Sequence, residues 1–228
     1  MPHLNLKLQL IIVFSIALIG AAQVVSTYQV LSQTYDEPYH IGAGMEWIQY
    51  GRYTVEHMHP PLARIAAAIG PFIAGRRLTS EPQSLSSAAR QGNDLLFEGS
   101  YWRNLILARV GVLPFFILAV ALVWFWGRQL FGDVAALFAA ALLAWLPPFL
   151  AHAGLATTDM ACAATFLAAL FTCSLWLENP NVFRSCIFGL SVALAVLAKL
   201  SNLVFLSASI AVVFWCGTSP ALFTNDVR

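Results

Sequence analysis

The run LQLIIVFSIALIGAAQVVSTYQV, Leu8–Val30, carries no charged residue and follows Lys7. A transmembrane helix needs roughly 20 predominantly apolar residues, so this stretch reads as a membrane span. A cleaved signal peptide is the competing reading, because Gly20-Ala21-Ala22 is rich in small residues. The apolar run continues past Ala22, whereas the apolar core of a cleavable signal is usually about 7–15 residues long. The run is therefore taken as an uncleaved anchor.

The rest of the chain agrees with a membrane setting. Of its 228 residues, 59% are hydrophobic and 10% are charged, against roughly 25% charged in an ordinary soluble domain. The mean hydropathy is +0.73. Five more apolar runs follow the first, giving expected spans at 8–30, 105–127, 133–151, 159–177, 182–198 and 200–217, with a first loop over 31–104. The expected fold is all-α: one membrane domain over residues 1–228, a polytopic transmembrane helical bundle. A net charge of +1 speaks against a nucleic-acid partner. Cys162, Cys173, Cys186 and Cys216 lie in apolar runs without metal-ligand spacing and read as small hydrophobes.

Orientation follows from the short loops. With the N-terminus inside, the inner segments hold Lys7, Arg128, Arg184 and Arg228, and Lys199 is the clear outer charge. The first loop is rich in arginine, but loops beyond about 60 residues are largely exempt from the positive-inside rule. That loop, the 152–159 turn and Lys199 are thus expected on the extracytoplasmic side of the plasma (inner) membrane. Arg109 sits about one helical turn inside the second span, at the same level.

Within the loop, Thr34–Arg64 reads TYDEPYHIGAGMEWIQYGRYTVEHMHPPLAR. Asp36-Glu37-Pro38 is a helix start, with proline in the first turn and acids at the positive end of the dipole. Ile41, Met45 and Ile48 follow at helical spacing, and Gly51 is a C-cap candidate. Pro60-Pro61 opens a second helix, with Leu62, Ile65, Ile69 and Phe72 on one face. The two read as amphipathic helices at the membrane surface. Arg64, Arg76 and Arg77 lie off the apolar face and read as lipid-headgroup contacts or a solvated face. Ser80–Gly99 reads as a loop or a short exposed helix.

Charges at membrane depth are costly and are usually paired or functional. Asp36, Glu37 and Asp159 on one face permit general-base chemistry, since a carboxylate in hydrogen-bond reach of a hydroxyl takes its proton as attack proceeds. The plainer readings are an N-cap for Asp36 and, for Thr157-Thr158-Asp159, a helix start. Arg109 and Lys199 could neutralise a phosphate, or pair with Asp159 or Asp36. His40, His57 and His59 could approach a metal with the acids, but the spacing matches no zinc pattern. Polar lining is the plainer reading.

These residues also carry a family resemblance. Asp36-Glu37 shortly after the first span, then His59-Pro60-Pro61-Leu62-Ala63, then Thr158-Asp159-Met160 opening a later span and Leu197-Ala198-Lys199 closing another, resemble the N-terminal half of GT-C membrane glycosyltransferases. The nearest group is the polyprenyl-phosphate-sugar-dependent enzymes, which include protein O-mannosyltransferases and the lipid A aminoarabinose transferase. The resemblance runs over roughly residues 8–208. It implies transfer of a sugar from a polyprenyl-phosphate donor to a hydroxyl of a protein, lipid or glycan, in contact with membrane lipids. Asp36 would be the general base and Glu37 its orienting neighbour. His59 would line the acceptor side, and Asp159 would shape the same site. Arg109 and Lys199 would stabilise the leaving phosphate. No cofactor is required by this scheme, although some members hold a divalent metal, for which Asp36, Asp159 and His59 are the residues to consider. Family members are considerably longer, so the chain would be the N-terminal part of that fold. The readings standing beside this one are a transporter, a non-enzymatic membrane scaffold, an inactive transferase fragment, and a metallohydrolase built on His57 and His59.

Overall fold

The computed structural model describes residues 4–55 and 58–218. Among these, eleven α-helices and no strand occur. Glu56, His57 and Arg228 lie outside the described residues.

Three helical stretches are long and apolar enough to cross a membrane: α1 (Leu6–Ser26), the stretch Tyr101–Phe131 made of α5 (Tyr101–Val110) and α6 (Leu113–Phe131), and α9 (Asp159–Glu178). The helices α7 (Asp133–Trp145) and α8 (Pro147–Ala153) form a pair bent by 60°, which makes a fourth if it is one span. The bend has a local cause. Leu146 precedes Pro147-Pro148 and takes an extended conformation (φ −68°, ψ 119°), which the following proline ring favours over the helical one. The 133–151 stretch, expected as one span, is thus two helices joined at this bend. Two further apolar helices, α10 (Val182–Ala198) and α11 (Ser201–Thr218), pack with α9. At 17 residues, α10 is short for a span.

Side chains turned outward from these helices are apolar: Ile11 and Phe14 on α1, Phe125 on α6, Phe138 on α7, Leu190 on α10 and Phe205 on α11 are all exposed. The inward faces are narrow. Ala136, Ala140 and Ala144 are fully buried along one stripe of α7, and small residues at four-residue spacing let helix backbones approach in a membrane bundle.

The first loop is a helical unit of its own. It contains α2 (Glu37–Tyr50), α3 (Pro61–Ile73) and α4 (Leu85–Phe97). Ser80–Gly99 is thus mostly helix, opened by a reciprocal capping box between Ser84 and Ser87. Here α2 departs from the expectation of a surface helix: residues 40 to 46 are all buried, with α3 and α4 packed against it. Glycine explains this. A Cβ on Gly42 would meet the Ala88 carbonyl oxygen at 2.2 Å, and one on Gly92 would meet the Pro38 oxygen at 1.9 Å. On the other side of α2, a Cβ on Gly44 would meet the Arg64 oxygen at 2.2 Å. Residues two apart on a helix point to nearly opposite sides, so Gly42 admits α4 and Gly44 admits α3.

The unit is joined to the bundle through α5 (Tyr101–Val110), which packs on α3 and α4 and continues through a break at Gly111-Val112 into α6 (Leu113–Phe131). Asn104 of α5 is fully buried. Its Nδ2 donates to the carbonyl oxygens of Leu95, Leu96 and Glu98 at 3.1, 3.1 and 2.8 Å, which closes the C-terminal end of α4.

Candidate functional site

Polar groups from distant parts of the chain gather where α1 ends, α2 and α9 begin, and α10 ends. Asp36 is exposed immediately before α2. Its side chain makes no cap hydrogen bond, so the capping role open to it from sequence is not the one it plays here. It lines a cleft of about 820 Å³ between the 33–39 segment and α4.

Its neighbour Glu37 is the opposite case, with no exposed side-chain surface, and it pairs with the equally buried Arg109 of α5. Arg109 Nε donates to Glu37 Oε1 at 2.8 Å and Nη2 to Oε2 at 3.0 Å. The other guanidinium hydrogens reach the carbonyl oxygens of Tyr28, Leu31 and Ser32 at 3.2, 2.8 and 3.0 Å. Glu37 in turn accepts from the Thr34 N–H at 2.7 Å and the Ala156 N–H at 2.9 Å. One ion pair thus ties the end of α1, the start of α2, α5 and the turn before α9. A buried guanidinium–carboxylate pair is tolerable only when its remaining donors and acceptors are satisfied, and here they are. Sequence reading aimed Arg109 at a phosphate, or at Asp36 or Asp159; it reaches none of those carboxylates.

Asp159 is the first residue of α9 and Lys199 lies in the break between α10 and α11. Lys199 Nζ donates to Asp159 Oδ1 at 2.6 Å, and His152 Nδ1 lies 3.4 Å from Oδ2. Both charged side chains keep surface, 40% for Asp159 and 30% for Lys199. Behind them Asn202, almost fully buried, donates to the carbonyl oxygens of Cys162 at 3.2 Å and Ala195 at 2.9 Å, fastening α11 to α9 and α10.

Near these charges stands a cluster of rings. The His40 and His59 centroids are 5.5 Å apart, and Tyr39 lies 4.9 Å from His40 and 6.4 Å from His59. The charges of Asp36, Asp159 and Lys199 all act on His59, and those of Asp159 and Lys199 act on His40. Burial holds the His59 imidazole below its ordinary range, with Lys199 adding to the effect. His40 is pushed down to about 3, by burial first and then by Arg64 and His59. Its Nδ1 has no hydrogen-bond partner among the described residues.

A testable pH dependence follows. The unfolded chain gains a proton on His40 near pH 6.5, and the folded chain does so only near about 3. Between those values the unfolded state binds more protons, so stability falls as pH falls. The unfolding temperature of the detergent-solubilised protein should therefore drop from about pH 7 to about pH 5, and His40→Gln should flatten that slope. An equal slope in the variant would remove His40 as its source.

Arg64 was read from sequence as a lipid-headgroup contact or part of a solvated face. It is instead 1% exposed. Its Nη2 donates to the Tyr39 hydroxyl at 2.7 Å, and the guanidinium lies 4.9 Å from the Tyr39 ring centre and 6.0 Å from that of Tyr53. Aromatic faces attract a guanidinium and shelter its charge. Sequence reasoning named His40 and His59 as polar lining but missed Tyr39, Tyr53 and Arg64 beside them, although the Tyr39-His40 pair next to Asp36 was a signal. Among the described residues no group of three or more His, Cys, Asp or Glu side chains is placed to hold a metal ion; Asp36, Asp159 and His59 do not form one.

Fold and site together define a multi-pass helical membrane protein with a polar site at one end of its bundle, roofed by a packed helical loop. The sequence pattern of the family described as dolichyl-phosphate-mannose-protein mannosyltransferase matches residues 101–225, more than half of the chain. The chain belongs to that family, whose members are membrane glycosyltransferases of the GT-C type. No curated protein and no solved structure matched it.

Proposed function

We propose that the protein transfers a sugar, of the mannose type, from a polyprenyl-phosphate donor to a hydroxyl of a protein acceptor on the extracytoplasmic face, with Asp36 as general base. The observation that carries this reading is Asp36 itself. It is an exposed carboxylate at the edge of a large cleft, without an ion-pair or hydrogen-bond partner for its side chain among the described residues, in a chain of this family. Such a carboxylate is available to accept a proton from a bound hydroxyl.

In the proposed step the acceptor oxygen bonds to the anomeric carbon. The bond from that carbon to the phosphate oxygen breaks, and its electron pair leaves with the lipid phosphate. The acceptor's proton passes to Asp36. A phosphate is already a good leaving group, so charge stabilisation matters more than protonation. Lys199 keeps exposed surface that could serve this purpose and is held in place by Asp159. Glu37 and Arg109 are positioning residues: they fix the Asp36 segment against the turn that precedes Asp159. His59 stands near the acids, and its tendency to stay neutral leaves it a hydrogen-bonding group rather than a second cation. The family match favours transfer over the transport, scaffold and metallohydrolase readings.

The test is direct. Membranes containing the protein are supplied with a polyprenyl-phosphate mannose and a serine/threonine peptide, and mannosylated peptide is measured by mass spectrometry. Product dependent on both substrates is expected. Transfer of a different sugar in parallel assays would replace mannose, and hydrolysis of the donor without peptide product would replace the acceptor.

A further inference from the structure

The cleft beside Asp36 has a second wall that the proposed chemistry does not use. Gln33, Tyr35, Asp36 and Tyr39 come from one side; Ser84, Ser86, Arg90 and Asn93 come from α4 on the other. Gln33 Nε2 donates to Asn93 Oδ1 at 2.6 Å and bridges the two sides. Arg90 is exposed and, like Asp36, has no hydrogen-bond or ion-pair partner for its side chain among the described residues. Arg52 pairs with Glu81, Arg64 with Tyr39 and Arg76 with Glu98, and Arg77 lies over Phe72; Arg103 is exposed like Arg90, but it sits on α5 and does not line this cleft. The Ser84 end of α4, the positive end of that helix, lies in the same wall. An anion is therefore favoured on the α4 side, while the opposite side carries the proposed base. Volumes of about 300–1,000 Å³ suit ligands of several linked groups. None of the lining residues belongs to a membrane-spanning helix, which places the cleft with the acceptor rather than with the lipid chain of a donor.

We propose, building on the transferase reading, that this cleft selects acidic acceptor segments. A peptide aspartate or glutamate would be held by Arg90, so that a nearby serine or threonine hydroxyl lies at Asp36. Arg90 would be a specificity residue that touches the acceptor and takes no part in the proton transfer. An exposed guanidinium–carboxylate contact contributes up to about 1 kcal/mol, which is a preference of roughly fivefold for the acidic peptide.

Binding without donor tests this separately from transfer. Two fluorescein-labelled serine octapeptides, one with two glutamates flanking the serine and one with glutamines in their place, are titrated with the full chain in detergent micelles and followed by anisotropy. The acidic peptide is expected to bind about fivefold more tightly, with the difference vanishing in about 0.5 M salt. Arg90→Gln should abolish the preference, and Arg90→Lys should keep part of it. Equal binding of the two peptides to the wild type, no binding of either, or a preference that survives Arg90→Gln would overturn the proposal. Charge-selective binding without any sugar transfer would keep the cleft assignment and sink the transferase reading. Transfer without charge selectivity would do the reverse.

Discussion

Glu37→Ala is expected to cost the protein about 3–5 kcal/mol, because it leaves Arg109 buried without a counter-charge. The loss extends beyond one pair. The Thr34 and Ala156 N–H groups lose their acceptor at the same time. The start of α2 would then be detached from the turn before α9, and Asp36 would lose its fixed place. Arg109→Ala should cost a similar amount, since it strands the Glu37 carboxylate and the carbonyls of Tyr28, Leu31 and Ser32. Thermal unfolding in detergent, followed by tryptophan fluorescence, measures both. The decisive comparison is the double variant Glu37→Leu/Arg109→Leu. A buried ion pair can often be replaced by apolar side chains at little cost, so the double variant should be more stable than either single alanine variant. Strictly additive losses would mean that the two residues act independently, and the hub would be refuted.

Asp36→Asn is expected to slow transfer by about 10²–10⁴-fold, the usual contribution of a positioned general base. The effect should fall on kcat for the peptide, with the donor KM little changed. Asparagine keeps the shape of the side chain and loses only its ability to take the proton. Because Asp36 is exposed and its side chain holds no partner among the described residues, the variant should unfold at the wild-type temperature. That separates it cleanly from Glu37→Ala, where activity and stability should fall together. Transfer by Asp36→Asn at the wild-type rate would end the assignment of Asp36 as the base.

The adjacent pair Asp36-Glu37 shows how far reading the chain alone could go. Both acids stood out by position, and both were expected at the reaction centre. The structure divides them: one faces the cleft, and the other is sealed in the protein. Nothing local distinguishes them, since each is an acid at a helix start. The partner that seals Glu37 lies 72 residues away. Lys199 and Asp159 illustrate the same limit at 40 residues. Their pairing was one reading open to the sequence, and helix packing brings the two within a hydrogen bond. Arg64 went the other way, because periodicity placed it off an apolar face and gave no sign of the Tyr39 and Tyr53 rings around it.

What the sequence determined by itself was the membrane setting, the helical class, and Gly51 as the cap that ends α2, where φ is 65°. These follow from hydropathy, span length and cap residues, which act within a few turns of chain. Tertiary structure alone decided that α2 is buried rather than laid on a surface, that Glu37 and Arg109 neutralise each other, and that Asp36 and Arg90 share a cleft. Those outcomes depend on how closely helix backbones approach, which small residues such as Gly42, Gly44 and Gly92 permit, and on which charges that approach brings within a hydrogen bond's length. Neither is encoded in the spacing of residues along one helix.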